Sequence, residues 1–189
     1  MTNVKVEIVE IYQDWLYSIS FDEEDLNEYH RIFREWHDLD YLVSFFSENK
    51  TYIDNSFWRK AGLNPDDPEL SAERVIDEAD NLECYIREIV AHCISETKPD
   101  FDDYFHFLGG KYKCLWSLEP VKSYGTDTPS LLRLYAIKID TNCYLIVYGG
   151  IKLGDTIQNS PVLKDNVFKK IDAVLSFLKA NGITDVDDL

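Results

Sequence analysis

Residues 131–150 read LLRLYAIKIDTNCYLIVYGG, two almost continuous apolar runs separated by a polar tripeptide. Each run has the length of a strand, and Asp140 and Asn142 favour a tight turn between them. Strands that are apolar on both faces are typical of the centre of a sheet that helices cover. The sequence therefore predicts an antiparallel hairpin, with strands at 131–139 and 143–150, at the centre of a helix-covered sheet.

Four other segments show apolar residues at the spacing of amphipathic helices. They are residues 22–49, 52–61, 71–94 and 162–180. Ser71 is a candidate N-cap of the third of these helices, and Gly62 is placed to end the second one. Helices are therefore predicted both before and after the central strands.

Two further β segments accompany the central hairpin. Residues 4–20 alternate between apolar and polar side chains, which predicts a first hairpin with its turn at Gln13-Asp14. Residues 111–119 predict a strand that precedes the central hairpin. The chain, 1–189, is therefore interpreted as a single domain of the α+β class.

The charge of the chain is strongly asymmetric. The formal net charge is −16; residues 1–104 contain 9 Lys and Arg against 26 Asp and Glu, and residues 105–189 contain 10 against 9, so the two parts carry −17 and +1. An acidic surface repels phosphate, which makes the first part a poor surface for nucleic acid. Contact with RNA is therefore expected only from the second part, and the first part is expected to form a solvated acidic surface.

The sequence shows no pattern of secretion or membrane insertion. Its first ten residues lack a basic stretch and an apolar core, and no apolar run reaches the ~20 residues that a membrane span needs. We therefore expect a cytoplasmic protein without a membrane partner. In that reducing compartment the four cysteines are expected to be free thiols. They are Cys84, Cys93, Cys114 and Cys143.

The familiar metal-binding and phosphate-loop patterns are missing from the sequence. No His and Cys residues have the spacing that aims ligands at one zinc ion, so neither a metal nor a cofactor is expected. Gly109-Gly110-Lys111 is only a fragment of a phosphate-binding loop. An acidic cluster beside His106 is compatible with an acid–base or cation site, but a solvated loop before a strand is the favoured interpretation. The cluster consists of Asp100, Asp102 and Asp103.

Basic and aromatic residues of the second part provide a candidate site. Lys111 and Lys113 belong to the strand that precedes the central hairpin. Arg133 lies on the first strand of the hairpin, and Lys152 follows Tyr148 at the end of the second. If they converge on one face of the sheet, the cations can stabilise negative charge at a phosphate, and a phenol or amine can transfer protons. The alternative is that they are ordinary charges that keep the strand ends soluble.

Three short motifs of the second part follow the strand sequences of a known family. They read LWSLE at 115–119, RLYA at 133–136 and IVYGGIK at 146–152, and a predicted helix follows them. In this order, and with helices before the sheet, the chain resembles the RelE/HigB toxin superfamily. The resemblance implies a RelE-like twisted antiparallel sheet packed by helices. The acidic first part has no counterpart in the small toxins, so it is interpreted as an acidic helix-rich N-terminal elaboration of that fold.

The function that this resemblance implies is RNA cleavage. Members of the superfamily are small, metal-independent ribonucleases that cut messenger RNA, often on the ribosome, and that a protein antitoxin neutralises. By resemblance, Arg133 and Lys152 would be catalytic residues that contact and stabilise the phosphate, with Tyr148 in support. Lys111 and Lys113 are the candidates for substrate binding. Because Tyr148 replaces the usual His, the alternative is a non-catalytic binding or regulatory protein that retains the fold without the active site.

Overall fold

The computed structural model describes residues 6–21, 25–110, 112 and 118–189. The strands of these residues are β1 (Val6–Tyr12), β2 (Leu16–Phe21), β3 (His106–Phe107), β4 (Glu119–Tyr124), β5 (Leu132–Asp140) and β6 (Cys143–Ile151). The helices are α1 (Glu28–Trp36), α2 (Leu39–Glu48), α3 (Lys50–Ile53), α4 (Ser56–Lys60), α5 (Pro68–Ile94), α6 (Phe101–Tyr104) and α7 (Leu163–Ala180), with a 3₁₀ helix at Val186–Asp188. The fold is α+β, and the strands form one sheet in the order β1-β2-β6-β5-β4-β3.

The central hairpin predicted from the sequence is confirmed. β5 and β6 pair antiparallel in the middle of the sheet, and Asn142 turns the chain between them with a φ of 55°. Asn visits this left-handed conformation more readily than most residues. Both strands are buried along most of their length, because the two faces of the sheet contribute to two separate apolar cores.

Helices cover both faces of the sheet at β6. Side chains of α1, α2 and α5 form one core with the sheet, and side chains of α7 form the other. Two adjacent glycines allow this close approach. A Cβ on Gly149 would lie 2.7 Å from Ile32 of α1, and a Cβ on Gly150 would lie 2.8 Å from Leu163 of α7. Consecutive residues of a strand face opposite ways, so the pair leaves space for one helix on each side.

The sheet is mixed, which corrects the prediction of an antiparallel sheet. The N-terminal hairpin β1–β2 joins the sheet at β6, where residues 16–18 of β2 lie parallel to residues 144–146. Alternation of apolar residues indicates which face of a strand is buried, but it specifies neither the neighbouring strand nor its direction. The acidic first part of the chain therefore contributes two strands to the sheet and most of one core.

The segment predicted as one helix at 52–61 contains two short helices, α3 and α4, because the chain leaves the helical conformation at 54–55. Two further helix boundaries also differ from those predicted. Segment 22–49 contains both α1 and α2, because Asp38 accepts a hydrogen bond from Tyr41 N at 2.9 Å and starts a second helix. α5 begins at Pro68 with Asp67 as its N-cap, so Ser71 lies inside the helix. At both places an aspartate N-cap determines the first residue of the helix. None of the helices in the described ranges has the length and apolar character that crossing a membrane requires.

The strand predicted at 111–119 is described only in part. Residues 111 and 113–117 lie outside the described residues, and of the other three only Glu119 belongs to a strand. The strand observed here is β4, which begins at Glu119 and ends at Tyr124, so its position differs from the predicted one. Residues 119–124 pair antiparallel with residues 133–138 of β5. β4 therefore places polar side chains such as Lys122 beside the central hairpin.

Three of the cysteines lie in the described part of the chain and are free thiols. Cys84 is exposed, whereas Cys93 and Cys143 are buried. Burial raises the pKa of Cys143 to about 12, so this thiol stays protonated at neutral pH. Cys114 lies outside the described residues.

Candidate functional site

A cavity of about 540 Å³ opens on the α7 side of the sheet, beside β4 and β5. Its walls include the loop after β3, the loop after β6 and one aromatic residue of α7. Three cations line it, one from each of the neighbouring strands or strand ends. They are Lys122 of β4, Arg133 of β5 and Lys152, the first residue after β6.

Strand register explains why these cations share one face. Lys122 lies opposite Tyr135, and Tyr124 lies opposite Arg133, so the four side chains alternate across two paired strands on the same side. Lys152 follows Gly150, the partner of Arg133, by two residues, and its backbone N–H donates to Leu131 O at 2.8 Å. The pleat of the sheet therefore brings the three cations to the cavity.

Arg133 is held in place by the backbone that precedes it. One guanidinium nitrogen, Nη1, donates to Leu132 O at 2.6 Å, and to Ser130 O and Ser130 Oγ at 3.1 Å each. The guanidinium carbon lies 4.3 Å from the centre of the Tyr124 ring, a cation–π contact. Among the described residues, Nε and Nη2 have no acceptor, so these donors remain available to a ligand in the cavity.

Lys152 is held in a similar way by the loop that follows it. Its Nζ donates to Gly154 O at 2.7 Å and to Asp155 O at 2.9 Å, which leaves one of its three N–H groups. Burial lowers the pKa of Lys152, and the positive charges of Arg133 and Lys122 lower it further. The carboxylate of Asp155 acts in the opposite direction. The amine therefore releases its proton more readily than an exposed lysine does.

The three cations have no carboxylate partner in the described part of the chain. The ion pairs there involve other Lys, Arg and His residues, and none includes Lys122, Arg133 or Lys152. The chain contains 35 Asp and Glu residues, so many carboxylates were available for pairing. Unpaired cations that face a solvent-open cavity are a suitable arrangement for binding an anion.

A second cavity, of about 410 Å³, adjoins the first. The two cavities share Arg133, Lys152 and Asp155 in their walls. The second is also lined by Phe57, whose side chain is 58% exposed, and by Trp58 of α4. Trp58 Nε1 donates to Leu153 O at 2.9 Å and fixes α4 next to the end of β6. Arg133 and Lys152 therefore belong to the walls of both cavities, which are together called the groove below.

Tyr148 does not line either cavity. This residue of β6 is buried, and its ring lies between Arg31 and Lys170, at 5.2 and 5.3 Å from the ring centre. Both cations also bind the carboxylate of Glu28, which is fully buried. Burial raises the pKa of Tyr148. The structure thus brings Arg133 and Lys152 together and places Tyr148 in a separate packed cluster.

Lys111 and Lys113, the candidates for substrate binding, lie outside the described residues. Gly109 and Gly110, which directly precede Lys111, line the first cavity. Sequence reasoning missed Lys122 and Tyr124. Lys122 and Tyr124 are two residues apart, so they lie on one face of a strand. The sequence did not show that residues 119–124 form a strand beside β5, and without that pairing the two residues could not be assigned to the site.

The acidic cluster near His106 has a structural role. Asp100 caps α6, and Asp102 accepts from Tyr144 OH at 2.7 Å and from Asn142 N at 3.0 Å. Lys138 pairs with Asp102 at 2.8 Å. The cluster therefore ties α6 to the turn between β5 and β6, in contrast to the expected solvated loop. In the described residues no group of three or more His, Cys, Asp and Glu side chains is arranged to hold a metal ion.

Three unpaired cations thus line the groove, and two of them, Arg133 and Lys152, belong to the wall that both cavities share. Such a site binds anionic oxygen atoms through charge and through guanidinium and ammonium donors. Comparison with known proteins found no matching family model, curated protein or solved structure.

Proposed function

We propose that this protein binds a phosphate-bearing ligand through Lys122, Arg133 and Lys152. The observation that carries the proposal is that these three cations line one open cavity and have no carboxylate partner among the described residues. Two unit charges about 4 Å apart near a protein surface attract by about 4 kcal/mol. Because residues 1–104 carry a net charge of −17, they repel anions, and the cations of the cavity favour contact on the other part of the chain.

The shape of the groove favours a single strand of RNA as the ligand. Arg133 and Lys152 belong to the walls of both cavities, so a phosphate bound there has room for one neighbouring group in each. Phe57 offers an exposed ring in one cavity, and Phe168 lines the other. Stacking of a base on an aromatic side chain contributes about 1–3 kcal/mol. This ligand agrees with the resemblance to the RelE/HigB superfamily, whose members also bind a protein antitoxin.

One feature favours cleavage of that strand in addition to binding. Lys152, an amine with a lowered pKa, lies in the same wall as Arg133. As a neutral amine, Lys152 would take the proton of a ribose 2′-hydroxyl while that oxygen attacks the adjacent phosphorus, and Arg133 would stabilise the negative charge on the phosphate. The bond to the 5′-oxygen would break as that oxygen takes a proton from water, which leaves a 2′,3′-cyclic phosphate and a 5′-hydroxyl without a metal ion. The second candidate function is therefore that of a toxin-like endoribonuclease. The alternative without cleavage is a binding or regulatory protein that uses the same cations.

The test compares two double variants in their binding of a short fluorescein-labelled oligouridylate, followed by fluorescence anisotropy. Arg133→Ala with Lys152→Ala removes two cations from the groove. Arg34→Ala with Lys50→Ala is the matched control, since both residues are exposed and line neither cavity. Each lost charge-assisted hydrogen bond is worth about 1.5–3 kcal/mol, so the groove variant should bind at least ~100-fold more weakly. Equal losses in both double variants would contradict the proposal, because they would show attraction by net charge alone.

The same reactions, sampled over time on a denaturing gel with EDTA present, separate the two functions. An endoribonuclease cleaves the oligouridylate, or messenger RNA on ribosomes, and slows growth when the chain is expressed. Loss of about 3 kcal/mol of charge stabilisation in the groove variant should then lower the cleavage rate more than a hundredfold and relieve the growth inhibition. Tight binding without cleavage and without growth inhibition identifies the binding protein.

A further inference from the structure

A buried carboxylate lies beneath the groove without a cation partner. Glu78 of α5 is fully buried, and none of the ion pairs in the described ranges includes it. It accepts hydrogen bonds from Ser130 Oγ at 2.6 Å, Leu131 N at 3.0 Å and Leu132 N at 3.4 Å. Burial raises the pKa of Glu78, which reflects the free-energy cost of keeping this charge inside the protein. An apolar residue would avoid that cost, so the position of the carboxylate calls for a functional explanation.

The hydroxyl of Ser130 connects Glu78 to the groove. A serine hydroxyl has one proton to donate and two lone pairs that accept. Its lone pairs face two donors, Gly125 N at 2.8 Å and Arg133 Nη1 at 3.1 Å. The proton has two acceptors in reach, Glu78 Oε1 at 2.6 Å and Leu132 O at 3.0 Å, and the shorter, charged contact is the stronger. When the Ser130 hydroxyl donates its proton to Glu78, the two lone pairs of Ser130 Oγ can accept from Gly125 N and Arg133 Nη1.

We propose that Glu78 is a positioning residue for Arg133, which it orients toward the groove by fixing the direction of the Ser130 hydroxyl. This inference rests on the proposed function, in which Arg133 contacts the phosphate. Glu78 also accepts from Leu131 N, and the peptide group of this N–H carries Ser130 O, another acceptor of the guanidinium. One side chain of α5 therefore holds two of the three acceptors of Arg133 Nη1, Ser130 Oγ and Ser130 O.

The substitution Glu78→Gln removes this control with little change in volume. When the amide oxygen of Gln keeps the bond from Leu131 N, its NH2 group lies near Ser130 Oγ, so three donors compete for two lone pairs and Arg133 loses its bond for part of the time. The loop keeps a second connection to α5, because Arg74 Nη2 donates to Pro129 O at 2.8 Å. The variant is therefore expected to fold with its loop in place.

The first test is a double-mutant cycle that uses the labelled oligouridylate. Glu78→Gln alone should weaken binding about fivefold, which corresponds to a coupling of about 1 kcal/mol. In a chain that already carries Arg133→Ala, the same change should alter the affinity less than about twofold, because Glu78 acts only through Arg133. An equal loss in both backgrounds would overturn the inference, since it would show a general structural effect.

The second test needs no ligand and therefore separates this inference from the proposed function. Phenylglyoxal modifies free guanidinium groups, and peptide mass spectrometry reads each arginine. Glu78→Gln and Ser130→Ala should both speed the modification of Arg133 relative to the wild-type chain, whereas the exposed Arg34 should react at an unchanged rate. If wild type fails to bind the oligouridylate but Arg133 reacts faster in both variants, the positioning role stands and the proposed ligand is wrong. An unchanged rate at Arg133 in both variants overturns the positioning role.

Discussion

Lys152 carries the clearest pH dependence at the scale of a single residue. Its pKa is lowered, first by burial and then by the nearby charges of Arg133 and Lys122. The ammonium form attracts an anion, so affinity for the oligouridylate should be constant at low pH. It should then fall as the pH rises through the lowered pKa, before an ordinary lysine with a pKa of about 10.4 would titrate. Binding isotherms across this alkaline range measure the effect.

Lys152→Arg is the matched control for this pH dependence. A guanidinium stays charged throughout the range, so the variant should keep its affinity where the wild-type chain loses it. A parallel decline in both proteins would show that another group titrates and would remove Lys152 from the explanation.

The individual site residues differ in how far the sequence predicted them. Arg133 and Lys152 lie at the ends of strongly apolar strands, so the pattern located both with little ambiguity. Tyr148 was assigned to the same site only by the resemblance to the RelE/HigB superfamily. In the structure the register shifts between Tyr135 and Ala136, and Val147 and Tyr148 share one core. Tyr148 therefore lies on the same face of the sheet as the groove, but it is enclosed by contacts with Arg31 and Lys170. These residues are distant from Tyr148 in the sequence, so a strand motif does not record their contacts.

At the scale of the elements, β6 depends on having no side chain at two consecutive positions. A Cβ on Gly149 would lie 2.7, 3.0 and 3.1 Å from three side-chain atoms of Ile32, so the whole Ile32 side chain must move. A Cβ on Gly150 would be that close only to Leu163 Cδ2, the end of a flexible side chain. Gly149→Ala should therefore lower the free energy of unfolding by about 1–3 kcal/mol, and Gly150→Ala by less.

Urea unfolding followed by tryptophan fluorescence measures both glycine variants. A second pair, Gly149→Ala with Ile32→Val, serves as the control, because the smaller side chain of α1 should recover part of the loss. Equal destabilisation by the two glycine substitutions would contradict the packing described for α1 and α7.

The elements also show where sequence patterns are sufficient. Long apolar runs predicted β5 and β6, and regular periodicity predicted α5 and α7, because each of these elements buries a continuous face. Segment 22–49 kept its apolar periodicity across the break between α1 and α2. The break depends on a hydrogen bond of Asp38, which a pattern of hydrophobicity does not record.

For the whole molecule, the three cations of the groove predict how the affinity for the oligouridylate depends on salt concentration. Each phosphate contact of a single strand releases counterions, and the slope of log affinity against log salt changes by about −0.7 per contact. Three cations predict a slope near about −2 for the wild-type chain, and one remaining cation predicts about −0.7 for Arg133→Ala with Lys152→Ala. The control Arg34→Ala with Lys50→Ala should retain the wild-type slope. Titrations at several potassium chloride concentrations measure these slopes, and one common slope for all three proteins would contradict the site.

The overall architecture was predicted in its class but not in its connections. Composition and apolar periodicity were sufficient to predict the α+β class, because the apolar residues of helices and strands follow the faces that these elements bury. The acidic first part was expected to be an elaboration, yet α1, α2 and α5 form one of the two cores. Charge describes the solvent-facing side of a helix, and the same helix can have an entirely apolar opposite face. The acidic composition of residues 1–104 therefore gave no indication that their helices form one of the two cores.

The parallel contact between β2 and β6 has a consequence for how the chain folds while it is synthesised on the ribosome. Residues 16–18 leave the exit tunnel well before residues 144–146, the segment of β6 with which they pair, have been synthesised. Contacts between segments so distant in the chain form slowly, because the intervening loop must close first. Nascent chains that stop before β6 should consequently remain open and sensitive to protease along β1 and β2. Once the hairpin of β5 and β6 has formed, β2 can pair with β6 and bring β1 into the sheet.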